Sequence, residues 1–225
     1  MRVSTIAGRI EAVRLQIADA CLRSGRSAEE VTIVAVTKGF PPEAVREAFS
    51  AGLSHFGENR VQEAQAKIPL LANLAPRPTW HMVGHLQTNK VKTALSLFDI
   101  IQSVDSLHLA QEISRRAPES VRVPVLLEVN VAGEAAKYGF SPEELPAAAE
   151  RVRALPGLDV RGLMTIAPMA GDPQEARPVF RRLRSLAESL DLRELSMGMT
   201  DDFEVAVEEG ATIVRIGRAI FGERS

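Results

Sequence analysis

Only five of the 27 basic residues in this chain are lysines (Lys38, Lys67, Lys90, Lys92 and Lys137), and the other 22 are arginines. A chain with that bias fills its surface with guanidinium groups, so each lysine invites a chemical reason. Lysine has one property that arginine lacks: its amine can lose a proton, and the neutral amine condenses with a carbonyl carbon to give an imine. Thr37-Lys38 directly follows the apolar run Val31–Val36. At the end of a buried strand, desolvation disfavours the ammonium and releases the nucleophile. Taken alone, Lys38 reads equally well as a loop residue whose charged tip reaches water. Its company decides.

That company lies near the other end of the chain. Ser196-Met197-Gly198-Met199 and Arg215-Ile216-Gly217-Arg218 each combine a polar side chain with glycine. Ser196 brings a hydroxyl; Met197, Gly198, Gly217 and Arg218 bring backbone N–H groups, and glycine permits close approach of an anion. The alternative is that Gly198 and Gly217 only make turns. Arg215 stands between Val214 and Ile216, a charge inside an apolar strand that needs a ligand or a buried carboxylate as partner; Glu128 is the carboxylate candidate. His81, Asn59 and Met164 also fall in or just after apolar runs, and Lys137 follows Glu128 in a loop. The last is a candidate secondary acceptor for an aldehyde or an ordinary exposed loop lysine.

The elements that must position these residues alternate along the chain. Strands are expected at Val31–Val36, Ser54–Gly57, Trp80–Gly84, Ile100–Val104, Val123–Asn130, Val160–Ile166, Glu194–Met197 and Thr212–Ile216. Several are near-continuous apolar runs, as in parallel sheets buried on both faces. Ser141-Pro142-Glu143-Glu144 reads as a capping box, Asp172-Pro173-Gln174-Glu175 as a second helix start, and Thr200-Asp201-Asp202 as the opening of the last long helix. Ahead of the first strand, Ile6, Ile10, Val13 and Ile17 recur at helical spacing, giving a helix over about residues 4–24 that stops at Gly25. Eight strand–helix units after an N-terminal helix predict one α/β domain spanning residues 1–225, a single (β/α)₈ barrel of TIM type, whose site gathers where the strands end. An open dinucleotide-binding sheet would want a glycine-rich turn after its first strand, and Thr37-Lys38-Gly39-Phe40-Pro41-Pro42 is none.

Composition narrows the function. A net charge of −2 gives no electrostatic footprint for nucleic acid or an anionic membrane. No run reaches the ~18 apolar residues of a membrane span. One cysteine, Cys21, on the apolar side of its helix, excludes an internal disulfide and fits a reducing cytoplasm. The four histidines lack zinc-site spacing, so no metal is expected, and His55 and His108 read as structural.

At this level of detail the chain resembles a known family. Ala35-Val36-Thr37-Lys38, Phe56-Gly57-Glu58-Asn59 with Gln62-Glu63, and Trp80-His81-Met82-Val83-Gly84-His85-Leu86-Gln87-Thr88-Asn89-Lys90 resemble the pyridoxal phosphate homeostasis proteins, the YggS/PROSC family. So do Arg161-Gly162-Leu163-Met164, Ser196-Met197-Gly198-Met199-Thr200-Asp201-Asp202 and Val214-Arg215-Ile216-Gly217-Arg218-Ala219-Ile220-Phe221-Gly222. The resemblance implies a barrel like the N-terminal domain of alanine racemase, with pyridoxal 5′-phosphate held as a Schiff base on Lys38. It places the phosphate at Ser196, Gly217 and the following residue, Arg215 at the pyridine nitrogen, and Asn59 near the ring; His81, Met164 and Met197 complete the expected lining. The family commonly has a small hydroxyl residue where this chain has Arg218, so a guanidinium would stand in for a hydroxyl contact.

The resemblance implies a carrier or buffer of the cofactor rather than an enzyme, with apo-forms of pyridoxal phosphate enzymes as transient partners. Two physical points agree. Arg215 only donates hydrogen bonds, so facing the pyridine nitrogen it would keep that nitrogen unprotonated and weaken the electron sink. A racemase also needs acids or bases on both faces of the substrate carbon, and the chain has a single tyrosine, Tyr138. The alternatives are a small pyridoxal phosphate enzyme such as an amino-acid racemase, and a class I aldolase-like barrel whose Lys38 condenses with sugars. Nothing in the sequence demands more than a monomer.

Overall fold

A computed structural model describes residues 5–119, 121–134, 137–169 and 171–223. Eight parallel strands close into a barrel in sequence order: β1 (Thr32–Val36), β2 (His55–Glu58), β3 (Thr79–Met82), β4 (Ile100–Val104), β5 (Val123–Glu128), β6 (Leu158–Met164), β7 (Glu194–Ser196) and β8 (Ile213–Ile216). Around it run α1 (Ile6–Ser24), α2 (Pro42–Ser50), α3 (Val61–Lys67), α4 (Val91–Leu97), α5 (Leu107–Arg116), α6 (Leu145–Arg153), α7 (Arg177–Ser189), α8 (Phe203–Glu208) and α9 (Arg218–Phe221). All eight expected strands are present, most trimmed by a residue or two; β6 begins two residues earlier than its pattern implied. The helix expected to open at Thr200-Asp201-Asp202 is short: α8 has six residues, and Asp202 bonds the Met199 N–H at 2.6 Å instead of a helical one.

Strand alternation sorts the side chains into two compartments. Ala35, Phe56, Trp80, Met82, Ile101, Val125, Leu127, Leu163, Leu195, Val214 and Ile216 join the main core beneath the helices. Val34, Val36, Val83, Leu126, Met164 and Ile213 form a separate apolar cluster, on the alternate strand positions and hence inside the barrel. Lys38 continues the series of Val34 and Val36, so the alternation that fills the barrel carries it to the mouth.

β6 and β7 meet because Gly162 has no side chain: a Cβ there would lie 1.9 Å from the Glu194 carbonyl oxygen. The N-terminal helix also has a specific task. Thr5 caps α1, and Gly25, at φ 68°, ends it; the start expected near residue 4 lies outside the described residues. Its buried stripe is Ile6, Ile10, Val13, Ile17, Ala20 and Cys21, where burial raises the Cys21 thiol pKa. From α1, Arg9 Nε donates to the Ile220 carbonyl at 2.6 Å; just beyond it, Arg26 donates to those of Val207 and Ala211 at 2.8 and 3.0 Å. These carbonyls lie in α9, in α8 and just after α8, so the N-terminal segment anchors the stretches that follow β7 and β8. Among the described residues no helix is long and apolar enough to cross a membrane.

Candidate functional site

Lys38 is half-buried in a tight turn just past β1. The turn is closed by the Phe40 N–H donating to the Thr37 carbonyl at 3.0 Å, and Gly39 takes the φ of 77° that its third position requires. The turn is gripped from outside the barrel. Lys67, at the end of α3 and 5% exposed, donates to the Thr37 carbonyl (2.7 Å), Glu58 Oε1 (2.5 Å) and Glu63 Oε1 (3.1 Å). Thr37 Oγ1 donates to the same Glu58 oxygen at 2.5 Å, and the Gly39 N–H donates to Glu63 Oε1 at 2.5 Å. Burial pushes the Glu58 carboxyl pKa up, against its bonds to Lys67 and Thr37, and its Oε2 has no partner among the described residues.

Across the mouth, Arg215 is 4% exposed and has no direct ion pair among the described residues. It donates to Ser196 Oγ at 2.6 Å and to the Thr165 carbonyl at 2.8 Å. The expected partner Glu128 acts on it only through space, as does Asp202, and burial lowers the guanidinium to about 10; it is charged at neutral pH. Ser196 passes the bonding on: its hydroxyl donates to Gln102 Oε1 at 2.7 Å. The Gln102 amide nitrogen lies 2.8 Å from His81 Nδ1, and His81 Nε2 lies 3.0 Å from His55 Nδ1. Since the amide can only donate, His81 accepts at Nδ1 and carries its hydrogen on Nε2, which donates to His55. Burial drives the His81 pKa down to about 3, so the ring is neutral. A chain of side chains thus spans the barrel interior from β8 through β7, β4 and β3 to β2.

The remaining expected residues separate. The N–H groups of Gly217 and Arg218 find no acceptor among the described residues. Gly217 has φ −110°, and its ideal Cβ would come no nearer than 3.5 Å to the Val36 carbonyl oxygen, so neither strain nor crowding demands glycine. Gly198 is different: at φ 92° it lets the start of α8 approach, with Phe203 Cα 2.9 Å from where a Cβ would sit. The Arg218 guanidinium turns to Asp201, at 2.6 and 2.5 Å, on the half-exposed rim. Met197 packs into the outer core, and its N–H is used by the Ile213 carbonyl at 3.1 Å. Met164 lies in the inner cluster. Asn59 borders a cleft of about 590 Å³ with Arg60, Gly84, His85 and Lys90, and Gly84 exists there because a Cβ would lie 2.4 Å from the Asn59 carbonyl oxygen.

On the β5 side, Glu128 is buried and its carboxyl is raised to about 7, chiefly by desolvation, then by nearby Asp105. Tyr138, more than half exposed, stacks on His85 with ring centroids 3.8 Å apart, and His85 Nδ1 lies 2.7 Å from Asp105. Lys137 pairs with Glu134 at 2.5 Å and reaches the Ile166 carbonyl at 3.4 Å. His108 is exposed on α5, whereas His55 is part of the buried chain. Sequence reasoning missed Gln102, the Thr165 carbonyl and the Lys67 cluster. Gln102 alone had a usable signal: an amide inside the apolar run Ile100–Val104, at the inward alternate.

The comparisons follow the same lines. Residues 16–225 match the family model described as alanine racemase, N-terminal domain. The chain is 46% identical over 223 residues to the pyridoxal phosphate homeostasis protein of Aquifex aeolicus, covering 96% of this chain and 97% of that one. It is also 46% identical to the protein of that name from Pseudomonas aeruginosa, covering 99% and 97%. The solved structure of PipY from Synechococcus elongatus with pyridoxal phosphate bound superposes with a TM-score of 0.85 at 40% identity, over 97% of this chain and 100% of that one.

Proposed function

The chain belongs to the alanine racemase N-terminal domain family, among the pyridoxal phosphate homeostasis proteins, and from that premise we propose that it binds pyridoxal 5′-phosphate as a Schiff base on Lys38 and serves its homeostasis as a carrier. One observation carries the reading. Lys38, the Arg215–Ser196 pair and the N–H groups of Gly217 and Arg218, which have no acceptor among the described residues, stand at the ends of adjacent strands β1, β8 and β7. That donor set fits the group: an amine for the aldehyde, N–H groups and a hydroxyl for the phosphate, a buried cation for the pyridine nitrogen. When bound, pyridoxal phosphate supplies an aldehyde and an aromatic electron sink. Arg215 stays charged at neutral pH and can only donate, so it leaves the pyridine nitrogen unprotonated and holds catalytic turnover low.

Lys38 Nζ is the nucleophile: as neutral amine it bonds to the aldehyde carbon, and the carbonyl oxygen leaves as water with the two amine hydrogens. Ser196, Gly217 and Arg218 orient the phosphate. Asn59, His81 and Met164 belong to the surrounding wall, and Met197 lies behind it in the outer core. Lys137, on the rim and paired with Glu134, serves as a secondary acceptor when cofactor passes to an apo-enzyme. The protein works in this reading as a cytoplasmic monomer. Glu128, titrating near neutrality inside the mouth, favours a second reading, weak acid–base turnover of an amino acid by a small pyridoxal phosphate enzyme.

The test is borohydride reduction of the protein mixed with pyridoxal phosphate, followed by peptide mapping. A single adduct on Lys38 is expected. Labelling spread over the five lysines, or none, would refute the reading, and measurable racemisation of an amino acid would promote the second one.

A further inference from the structure

Lysine ends in an amine on a flexible four-carbon stem, so fixing the backbone from which the stem grows narrows where the amine can point. At Lys38 the sheet has run out: Thr37 still bonds the Gly57 carbonyl at 2.9 Å through its N–H, but its own carbonyl and the Gly39 N–H lie beyond the ladder. Both are held by one buried cluster. Lys67 takes the Thr37 carbonyl, Glu63 takes the Gly39 N–H, and Glu58 takes the Thr37 hydroxyl. Lys67 then joins the two carboxylates, so all three of its hydrogens are used. The residue before Lys38 and the residue after it are thereby tied to the same three side chains.

The cluster has the cost profile of a device rather than of packing. Burying an ammonium and a carboxylate is expensive even when they pair, and apolar replacements of such pairs are commonly neutral or better for stability. Here apolar replacements would also orphan the Gly39 N–H and take one partner each from the Thr37 carbonyl and hydroxyl, which keep the Phe40 N–H and the Gly57 carbonyl, at 3.0 and 3.4 Å. Within the cluster, Glu58 Oε2 has no partner among the described residues.

We propose that Lys67, with Glu58 and Glu63, is the positioning device for the Lys38 amine, holding the Thr37–Phe40 turn in the geometry from which Lys38 condenses with an aldehyde. This rests on the Lys38 reading above. A pre-aimed amine spends less conformational freedom on bond formation, so loss of the clamp weakens the covalent contribution to binding and spares the phosphate and ring contacts.

The experiment compares two ligands on the full-length protein. Pyridoxal phosphate condenses; pyridoxine phosphate has the same ring and phosphate but an alcohol in place of the aldehyde. Dissociation constants for both, the visible imine band with its pH titration, and thermal melting are measured for the unsubstituted protein, Lys67→Met, Glu63→Ala and Glu63→Gln. Glu63 is the partly exposed member, so its variants test the clamp even if Lys67→Met does not fold. Lys67→Met and Glu63→Ala should weaken pyridoxal phosphate about tenfold, the worth of one charge-assisted bond, and leave pyridoxine phosphate within about twofold. Glu63→Gln, which retains an acceptor for the Gly39 N–H, should recover most of the loss. Parallel weakening of both ligands, or no change in either, would overturn the inference. An unsubstituted protein that forms no imine on Lys38 would overturn the binding reading and this inference with it, a result distinguishable because it appears before any substitution is made.

Discussion

Gln102 is the middle of the buried chain that runs from Arg215 to His55, and its removal has an effect that can be counted. In Gln102→Leu two groups lose their partners: His81 Nδ1 loses its donor and the Ser196 hydroxyl its acceptor. In Ser196→Ala two others do: Gln102 Oε1 loses its donor and Arg215 loses its acceptor. Each buried group left unmatched costs about 1–3 kcal/mol, so each single variant should lose about 2–6 kcal/mol, which is about 4–24 °C in melting temperature for a chain of this size. The double variant is the informative one. It removes the Ser196–Gln102 bond from both ends and leaves only His81 Nδ1 and Arg215 unmatched, two groups where the singles together leave four. It should therefore be about as unstable as one single variant, falling short of additivity by about 2–6 kcal/mol. Urea unfolding of the four proteins without cofactor measures this directly. Additivity to within about 0.5 kcal/mol would refute the chain as drawn, because it would mean the two side chains do not share a bond.

Three further outcomes are expected. Glu128 titrates at about 7 against an ordinary 4.5, so it favours the folded state when protonated, and that contribution is lost as pH rises from 4.5 through 7; Glu128→Gln should gain on the unsubstituted protein across that window, levelling off at about 3 kcal/mol, read from urea midpoints against pH. His81, lowered to about 3, should show the neutral Nε2–H form in ¹⁵N spectra at pH 5, and a doubly protonated ring there would contradict the bonding order assigned to Gln102. Gly162→Ala, whose Cβ would fall 1.9 Å from the Glu194 oxygen, should lose more than about 3 kcal/mol or fail to fold, whereas Gly217→Ala, with 3.5 Å of clearance, should stay within about 1 kcal/mol of the original in thermal melts while binding pyridoxal phosphate less tightly.

The barrel was legible because its signal is local. Eight apolar runs of strand length, separated by helix punctuation, say parallel sheet residue by residue, and closure follows from their number. The candidate site was legible in part for the same reason: Lys38, Ser196, Arg215 and Gly217 follow or interrupt those runs, and the fold brings their strand ends side by side. Met197 shows where motif reading overreaches. It neighbours Ser196, but alternation sends its side chain outward with Leu195, and its N–H completes the β7–β8 pairing. Lys67 shows the opposite failure. A lysine near the end of an amphipathic helix looks solvated, and only the packing of α3 against the ends of β1 and β2 buries it on Glu58. The Tyr138 stack on His85 was equally invisible, since it depends on the path by which the β5 loop crosses to β3.

The direction of the interior chain explains how a guanidinium with no ion pair among the described residues survives there. Arg215 donates to Ser196, Ser196 to Gln102, Gln102 to His81, and His81 to His55. Every link presents its acceptor end toward the cation and its donor end away, so the dipoles add, and hydrogen bonds aligned in a poorly polarisable interior strengthen one another. A carboxylate in direct contact would have stabilised Arg215 more simply, but it would also have cancelled the charge. Neutral partners leave its charge uncancelled at contact, and burial raises both Glu128 and Asp202 above their ordinary values, which weakens the counter-charge they supply from a distance. The fold thus holds a cation near an amine and two N–H groups that have no acceptor among the described residues, and it supports that cation at contact with dipoles instead of a carboxylate. That arrangement suits a site whose anion arrives with its ligand.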